Sequence, residues 1–336
     1  MRKFLFPEGR RFYKANLHCH TTVSDGEKTP AEIKAMYLAK GYDAVAFTDH
    51  EALVLHDDLS DDRFIALNGY ETAIKEYEGK TDSHMKVHHL CFIKRRPSDD
   101  VAVCFYPENF TPGNSKNYIP FLHYVGERCK YEFTDAFLSH LIREAHENGF
   151  LVHYNHPRWS LMTADKLLSI PFDGLEICNT DCRYHGDYNA NVYEDYLRLG
   201  GNPSAYIVGA DDNHNAGTAI SDSFGAFTMI AARSFSYEGL TDALAEGNAY
   251  VSTGPEILSA YVEEGALFLK TSPAAHIILH SEGRSLPAAH GVGGYIDKAA
   301  FPLDVRKLGK YFRIEVIDSK GEHAYTRAYE TLAYLA

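Results

Sequence analysis

Short apolar runs, most of them closed by a histidine or an acid, recur along the chain, and this recurrence limits the fold more than any other feature. Residues 13–20, 43–48, 64–67, 86–93, 150–154, 172–178 and 205–208 read as strands. The run 43–48, Asp-Ala-Val-Ala-Phe-Thr, is short and mostly apolar, as suits a strand buried on both faces. Helix patterns alternate with these runs. Thr29-Pro30-Ala31-Glu32 supplies a capping box with proline at the first helical position, and Ile33, Met36, Tyr37 and Leu38 follow as an apolar stripe before Gly41. Residues 134–148 form an amphipathic pattern stopped by Gly149, and 190–199 another closed by Gly200-Gly201. Alternating strands and helices predict an α/β fold with a mainly parallel sheet. Residues 94–131, with Pro97, Pro107, Pro112 and Pro120, read as an irregular connection. A connection of that length is expected to be functional or mobile, and is a candidate cover for a site.

After a strand at 225–232 and a helix at 237–246, the texture changes. Short alternating runs at 257–262, 266–269, 276–280, 301–305, 311–317 and 324–328 carry no helix pattern. They predict a small all-β, sandwich-like unit. The expected division is therefore 1–255 and 256–336.

The runs deliver chemistry. Asn16-Leu17-His18-Cys19-His20 places two imidazoles two residues apart, and alternate residues of a strand share a face. Asp25 follows. Thr48-Asp49-His50, Gly69-Tyr70-Glu71, His88-His89, Asn155-His156-Pro157 and Asp212-Asn213-His214 echo the pattern downstream. Most stand just after a strand, where the mouth of a parallel barrel gathers sequence-distant residues. Adjacent strand residues face opposite ways, so one of His88 and His89 is the candidate, with His89 preferred. Imidazole nitrogen suits zinc, iron, nickel and copper, and carboxylates widen the choice to manganese. Taken singly, each of these histidines reads as a core or surface residue; spacing and strand-end placement lift them jointly. His56, His84, His123, His140, His146, His153 and His290 read as structural or solvated. Asp49 and Asp211 read either as partners that orient a ligand imidazole or as turn caps. Arg158, directly after His156-Pro157, and Arg183 are candidate substrate-binding guanidiniums, suited to bidentate phosphate recognition.

With these residues in place, the chain resembles the PHP (polymerase and histidinol phosphatase) family over about residues 13–255. The family's order of motifs is met by His18, His20, Asp25, His50, Glu71, His88 or His89, His156, Asp212 and His214. The resemblance implies a distorted (β/α)7 barrel and phosphoester hydrolysis with two or three divalent metals, zinc, manganese or iron. It implies one metal on His18, His20, Glu71 and Asp212. Glu71 would bridge to a second on the strand histidine and His156, and a third would take Asp25, His50 and His214. Metal-activated water would then attack phosphorus in line, with Glu71, Asp212 and His214 as catalytic residues; the third-metal ligands, or His214 if that metal is absent, would assist proton transfer to the leaving group.

Composition narrows the substrate. Lysine plus arginine minus aspartate plus glutamate is 33 − 46 = −13. Such a surface is poorly suited to long nucleic acid, whose binding rests on phosphate neutralisation by Lys and Arg. A small phosphorylated metabolite or nucleotide is the expected partner. The residues of 1–12 lack a secretory apolar run, no stretch reads as membrane-spanning, and the six cysteines lack zinc-finger spacing. A reduced, cytoplasmic protein is expected. Two other readings use the same residues. One is a catalytically silent, metal-stabilised barrel whose β-unit binds a protein or glycan. The other is a metal hydrolase acting on a C–N or carboxyl-ester bond.

Overall fold

In the computed structural model, which describes residues 1–77, 79–97, 100–110, 113–216, 222–293 and 295–335, the chain opens with β1 (Lys3–Phe4) and β2 (Arg11–Asn16). Helix α1 (Pro30–Ala39) starts where its cap residues require. Glu32 N donates to Thr29 Oγ1 at 3.3 Å, and the Glu32 carboxylate accepts from Thr29 N at 2.8 Å. Its buried side chains Ile33 and Tyr37 pack with Tyr42, Phe47 and Phe64. The next strands are β3 (Ala44–Phe47), buried throughout, β4 (Ile65–Lys75) and β5 (Val87–Lys94).

Strands β2, β3 and β4 are parallel, but β5 is antiparallel to β4. The strictly alternating pattern expected from the sequence fails here for a geometric reason. Among the described residues of 76–86, the one helical element is a 3-10 turn, Asp82–His84. A parallel return needs a crossover of a dozen or more residues, so the chain doubles back instead.

The segment read as irregular contains β6 (Val101–Phe105) and β7 (His123–Arg128), paired in parallel as a two-stranded sheet. Phe105, Phe110 and Tyr124 gather there against Val23 and Ala52. Asn114 N donates to Ser24 O at 2.6 Å, and its Nδ2 to Thr22 O at 3.0 Å. The segment therefore lies on the loop that follows the H-x-H.

Helix α2 (Asp135–Glu147) is capped by Thr134, buries Leu138, Leu141, Ile142 and Ala145, and ends before Gly149 at φ +75°. Then come β8 (Phe150–Tyr154), α3 (Ala164–Leu167), β9 (Gly174–Asn179), α4 (Asn191–Arg198) and β10 (Tyr206–Ala210). Strand β8 is antiparallel to β5, while β8, β9 and β10 run parallel. Beyond β10 the chain returns to its beginning. Asp212 N donates to His18 O at 2.9 Å, His20 N donates to Asn213 O at 3.1 Å, and Cys19 bridges Asn213 in parallel. Strand β11 (Phe227–Ala232), helix α5 (Tyr237–Ala245) and β12 (Ala249–Ser252) follow, with β11 antiparallel to β2.

The remaining elements are β13 (Ile257–Glu263), β14 (Ala266–Ala274), β15 (His276–Ser281), β16 (Ala288–His290), β17 (Ile296–Pro302), α6 (Val305–Leu308), β18 (Tyr311–Ile317), β19 (His323–Thr326), β20 (Tyr329–Glu330) and α7 (Thr331–Leu335). The absence of helix expected past residue 256 is corrected by α6 and α7. They are 4 and 5 residues long, too short to print a 3.6-residue stripe. Strands β1, β13, β14 and β17 form a 4-stranded sheet. The others join the main sheet, because β19 pairs with β12. That 14-stranded sheet runs from β10 to β16 without a break. The two sheets enclose Leu5, Ile257, Leu267, Ile277, Phe312 and Val316. The molecule is thus mixed α/β around one large sheet. Among the described residues no helix is long and apolar enough to cross a membrane.

Candidate metal centre

The return of 212–213 onto 18–20 assembles the site. His18 Nε2 lies 3.1 Å from His20 Nε2, 3.3 Å from Glu71 Oε1 and 3.1 Å from Asp212 Oδ1. His20 Nε2 lies 3.0 Å from Asp212 Oδ1 and 3.5 Å from Glu71 Oε2. Glu71 also faces His89 Nδ1 at 3.0 Å, His156 Nε2 at 3.6 Å and, through Oε2, His50 Nδ1 at 3.1 Å. Asp25 stands 3.7 Å from both His50 Nε2 and His214 Nε2, and 3.8 Å from His20 Nδ1. All nine residues singled out from the sequence as ligands therefore meet in one place.

Register decides between the paired histidines. On β4 and β5, Glu71 is opposite Cys91 and Ala73 opposite His89, so His89 shares a face with Glu71. His88 points away, bonding Tyr154 Oη through Nδ1 at 2.9 Å and stacking on Phe133. Glu71 is delivered within a strand rather than after one, because β4 runs on to Lys75. Close approach places Asp25: a Cβ on Gly26 would stand 2.5 Å from His20 O, so only glycine lets this turn fold under the H-x-H. His156 and Asp212 hold φ of +23° and +54°. Such backbone is costly for non-glycine residues and is concentrated at functional sites.

Partners missed by sequence reasoning hold the imidazoles. Glu176 on β9 accepts from His18 Nδ1 at 3.1 Å through Oε1, and from His156 N and Asn179 Nδ2 at 2.9 Å through Oε2. Donating Nδ1–H to Glu176 leaves His18 Nε2 as the free donor atom toward the cluster. Asn155 and Asn179 bond Glu71 at 2.6 Å and Asp212 at 3.1 Å. The signal for all three is weak, since a polar residue at a strand end resembles any turn residue. Asp49 and Asp211 take the turn-cap role. Asp49 accepts from Thr21 and Ser24, and Asp211 from Tyr37, Thr180 and the amides of Phe224 and Gly225.

Electrostatics follow from packing. Burial pushes the Glu71 and Asp212 carboxyls upward, yet the surrounding imidazoles outweigh it and hold both well below the usual range. Burial likewise opposes charge on His18 and His156, but Asp212 and Glu71 reverse it, raising His156 to about 9. Burial brings His50 down to about 3.

Do these residues fit metal ions? The buried His20 Nδ1 has no hydrogen-bond partner. It joins Asp25, His50 and His214 in a group whose donor atoms all lie within 4.8 Å of one another. Glu71, His89 and His156 form a second such group, and His18, His156 and Asp212 a third. Donors about 2.0–2.2 Å from a shared ion at tetrahedral or octahedral angles stand roughly 3.0–3.5 Å apart; the contacts of Glu71 with His89 and of His18 and His20 with Asp212 lie at 3.0–3.1 Å, and Asp25 stands slightly wider, at 3.7–3.8 Å from its imidazoles. The residues fit. Cys91 also lies beside His18 and Glu71, accepts from Asn155 Nδ2 at 3.1 Å, and has its thiol pushed up to about 11 by burial.

The cluster opens into a cavity of about 460 Å3, lined also by Trp159, Asp181, Cys182 and Asp222. Neither Arg158 nor Arg183 lines it. Arg158 is exposed with its stem along Gly186, and Arg183 Nε donates to Thr180 O at 2.9 Å. Both guanidiniums are held outside the cavity.

No protein-family model matches the chain, and no curated protein does. Among solved structures, a two-domain protein from Bacteroides vulgatus containing a predicted PHP-like metal-dependent phosphoesterase is similar at 15% identity and TM-score 0.45, covering 97% of this chain and 98% of that one. A protein from Bifidobacterium adolescentis described as a metal-dependent phosphoesterase is similar at 16% identity and TM-score 0.41, covering 63% and 91%. An amidohydrolase from Chromobacterium violaceum, with bound sulfate and no metal, is similar at 14% identity and TM-score 0.38, covering 60% and 87%. At such loose overlap the geometry above carries the functional reading.

Proposed function

We propose that the chain is a metal-dependent phosphoesterase that hydrolyses a small phosphorylated metabolite or nucleotide. The observation that carries this reading is Glu71. Its Oε1 lies 3.0–3.6 Å from His18, His89 and His156 and its Oε2 3.1–3.5 Å from His20 and His50, so one carboxylate stands within reach of imidazoles that would serve different ions. His18, His20, Glu71 and Asp212 would hold one divalent ion, Glu71, His89 and His156 a second, and Asp25, His50 and His214 a third. The mixed nitrogen and oxygen set suits zinc, manganese or iron. When bound, such ions lower the pKa of water toward about 7 and neutralise charge on phosphoryl oxygens.

The chain's own residues prepare that chemistry. Glu71 and Asp212 stay ionised through the imidazoles around them. Asp212 and Glu71 raise the proton affinity of His18 and His156, so protons compete with an ion for these nitrogens. His214 bonds Asp212 O through Nδ1 at 3.0 Å, which turns Nε2 toward Asp25 at the half-buried rim; with no third ion on that nitrogen, a protonated His214 would supply the proton of the leaving oxygen. No side chain is required as a nucleophile. The cavity wall is rich in histidine and acid, with no lysine or arginine among the described lining residues, which leaves phosphate recognition to the ions.

The barrel reading has structural support of its own. A distorted seven-stranded barrel over 1–255 is our reading, supported by the parallel triplets β2-β3-β4 and β8-β9-β10, by β5 between them and by the contact of 212–213 with 18–20. Residues 256–336 would be an accessory β-unit. The test is metal analysis followed by phosphate release from nucleoside monophosphates, nucleoside bisphosphates, sugar phosphates and histidinol phosphate, with manganese, zinc or iron added. Turnover that needs metal and drops at least a thousandfold in His18→Ala is expected. Bound metal with turnover on none of these would overturn the assignment.

A further inference from the structure

Beside the metal cavity lies a second cavity, of about 400 Å3. The two share His50, His89 and Trp159 as walls, so they adjoin. The second is different in character. Ala73, Met85 and Val87 give it an apolar floor, and the Trp159 indole stands at the junction, 38% exposed and packed on His89 and His156. Trp159 N is held by Asp187 at 2.7 Å, which fixes the ring's base. Lys75 is the one lysine or arginine among the described lining residues of either cavity, and no hydrogen bond or ion pair from the described residues engages its ammonium, although the Asp82 carboxylate lines the same cavity. Glu51, also in the wall, is by contrast fully engaged by Thr72, the Ala73 amide, Asn109 and Tyr131.

We propose that this second cavity holds the organic part of the substrate, and that the part it selects is a flat apolar ring carrying a second negative group. This rests on the phosphoesterase reading of the adjoining site. The volume suits a ring-sized group, since small-molecule pockets of about 300–1,000 Å3 bury most of their ligands. An exposed indole over an apolar floor favours an aromatic ring. The unengaged ammonium at the far side favours a carboxylate or phosphate there, because a charge-assisted hydrogen bond is the strong kind. The hairpin between β4 and β5 supplies both Lys75 and the floor, so the same doubling-back that reverses β5 builds the selectivity.

Trp159 is the chain's single tryptophan, so its fluorescence reports on this cavity directly. The manganese-loaded full chain is titrated with 4-carboxybenzylphosphonate and with benzylphosphonate, neither of which can be hydrolysed. Both are expected to shift the emission, with the carboxylated compound binding about tenfold more tightly. In Lys75→Met, checked for unchanged circular dichroism and metal content, that difference is expected to collapse, and in Lys75→Arg to persist. Equal affinities in the wild type, or a tenfold difference that survives Lys75→Met, would overturn the proposal. Hydrolysis of 4-carboxybenzyl phosphate tests the adjoining site separately. Discrimination without turnover would sink the phosphoesterase reading and keep the cavity's assignment; turnover without discrimination would do the reverse.

Discussion

Glu176 shows how much a residue outside the ligand set can control. Its Oε1 faces one donor, His18 Nδ1, and its Oε2 faces two, His156 N and Asn179 Nδ2. A glutamine has one acceptor oxygen, so Glu176→Gln must aim its amide N–H at a donor whichever way it turns. The imidazole of His18 or the backbone of His156 then shifts. Partners of this kind cost about 10–100-fold in metal affinity when removed. Chelator competition on the Glu176→Gln protein is expected to show a loss in that range, while circular dichroism stays unchanged.

At the scale of elements, the sheet beyond β12 carries its own ionic contact. Glu315 on β18 lies between His280 on β15, bonded at 2.5 Å, and His323 on β19, bonded at 2.7 Å. Burial opposes its ionisation, but the two histidines and Arg313 outweigh that and bring the carboxyl down to about 2. A carboxyl held below its unfolded value near 4.5 stabilises the fold at pH above that value, and the contribution fades as pH falls toward 2. Its size is on the order of 1–3 kcal/mol. Melting temperature followed from pH 6 to pH 3 is expected to fall less steeply in Glu315→Gln than in the wild type. Equal slopes would mean that the pair contributes nothing to the acid response.

The whole molecule links its site to its stability. Ligands are drawn from loops and strands spread from His18 to His214, so an ion held by them binds the folded chain and not the unfolded one. Free metal at a hundred times its dissociation constant adds about 2.7 kcal/mol. For a chain of this size that raises the melting temperature by about 4 °C. Calorimetry before and after removal of metal by a chelator is expected to show this difference, restored on adding manganese. Because β12 and β19 join the ligand-bearing sheet to the carboxy-terminal strands, both parts are expected to melt in one transition.

Local chemistry determined much of this protein by itself. The caps of α1 and α2, the buried run of β3 and the H-x-H spacing are each set by residues within a few positions of one another, where propensity and period act. The ligand types were legible for the same reason, since each stands in a short motif. What the sequence left open depends on register and on contacts between distant segments. The choice of His89 over His88 follows from the pairing of β4 with β5. The reversal of β5 follows from a connection too short to cross over. Glu176 became a partner of His18 only because β9 lies beside the strand end that carries it, and the two arginines were turned outward by loops whose shape no local pattern encodes. Side chains that meet across the fold are matched by packing, and packing is a property of the assembled chain rather than of any stretch of it.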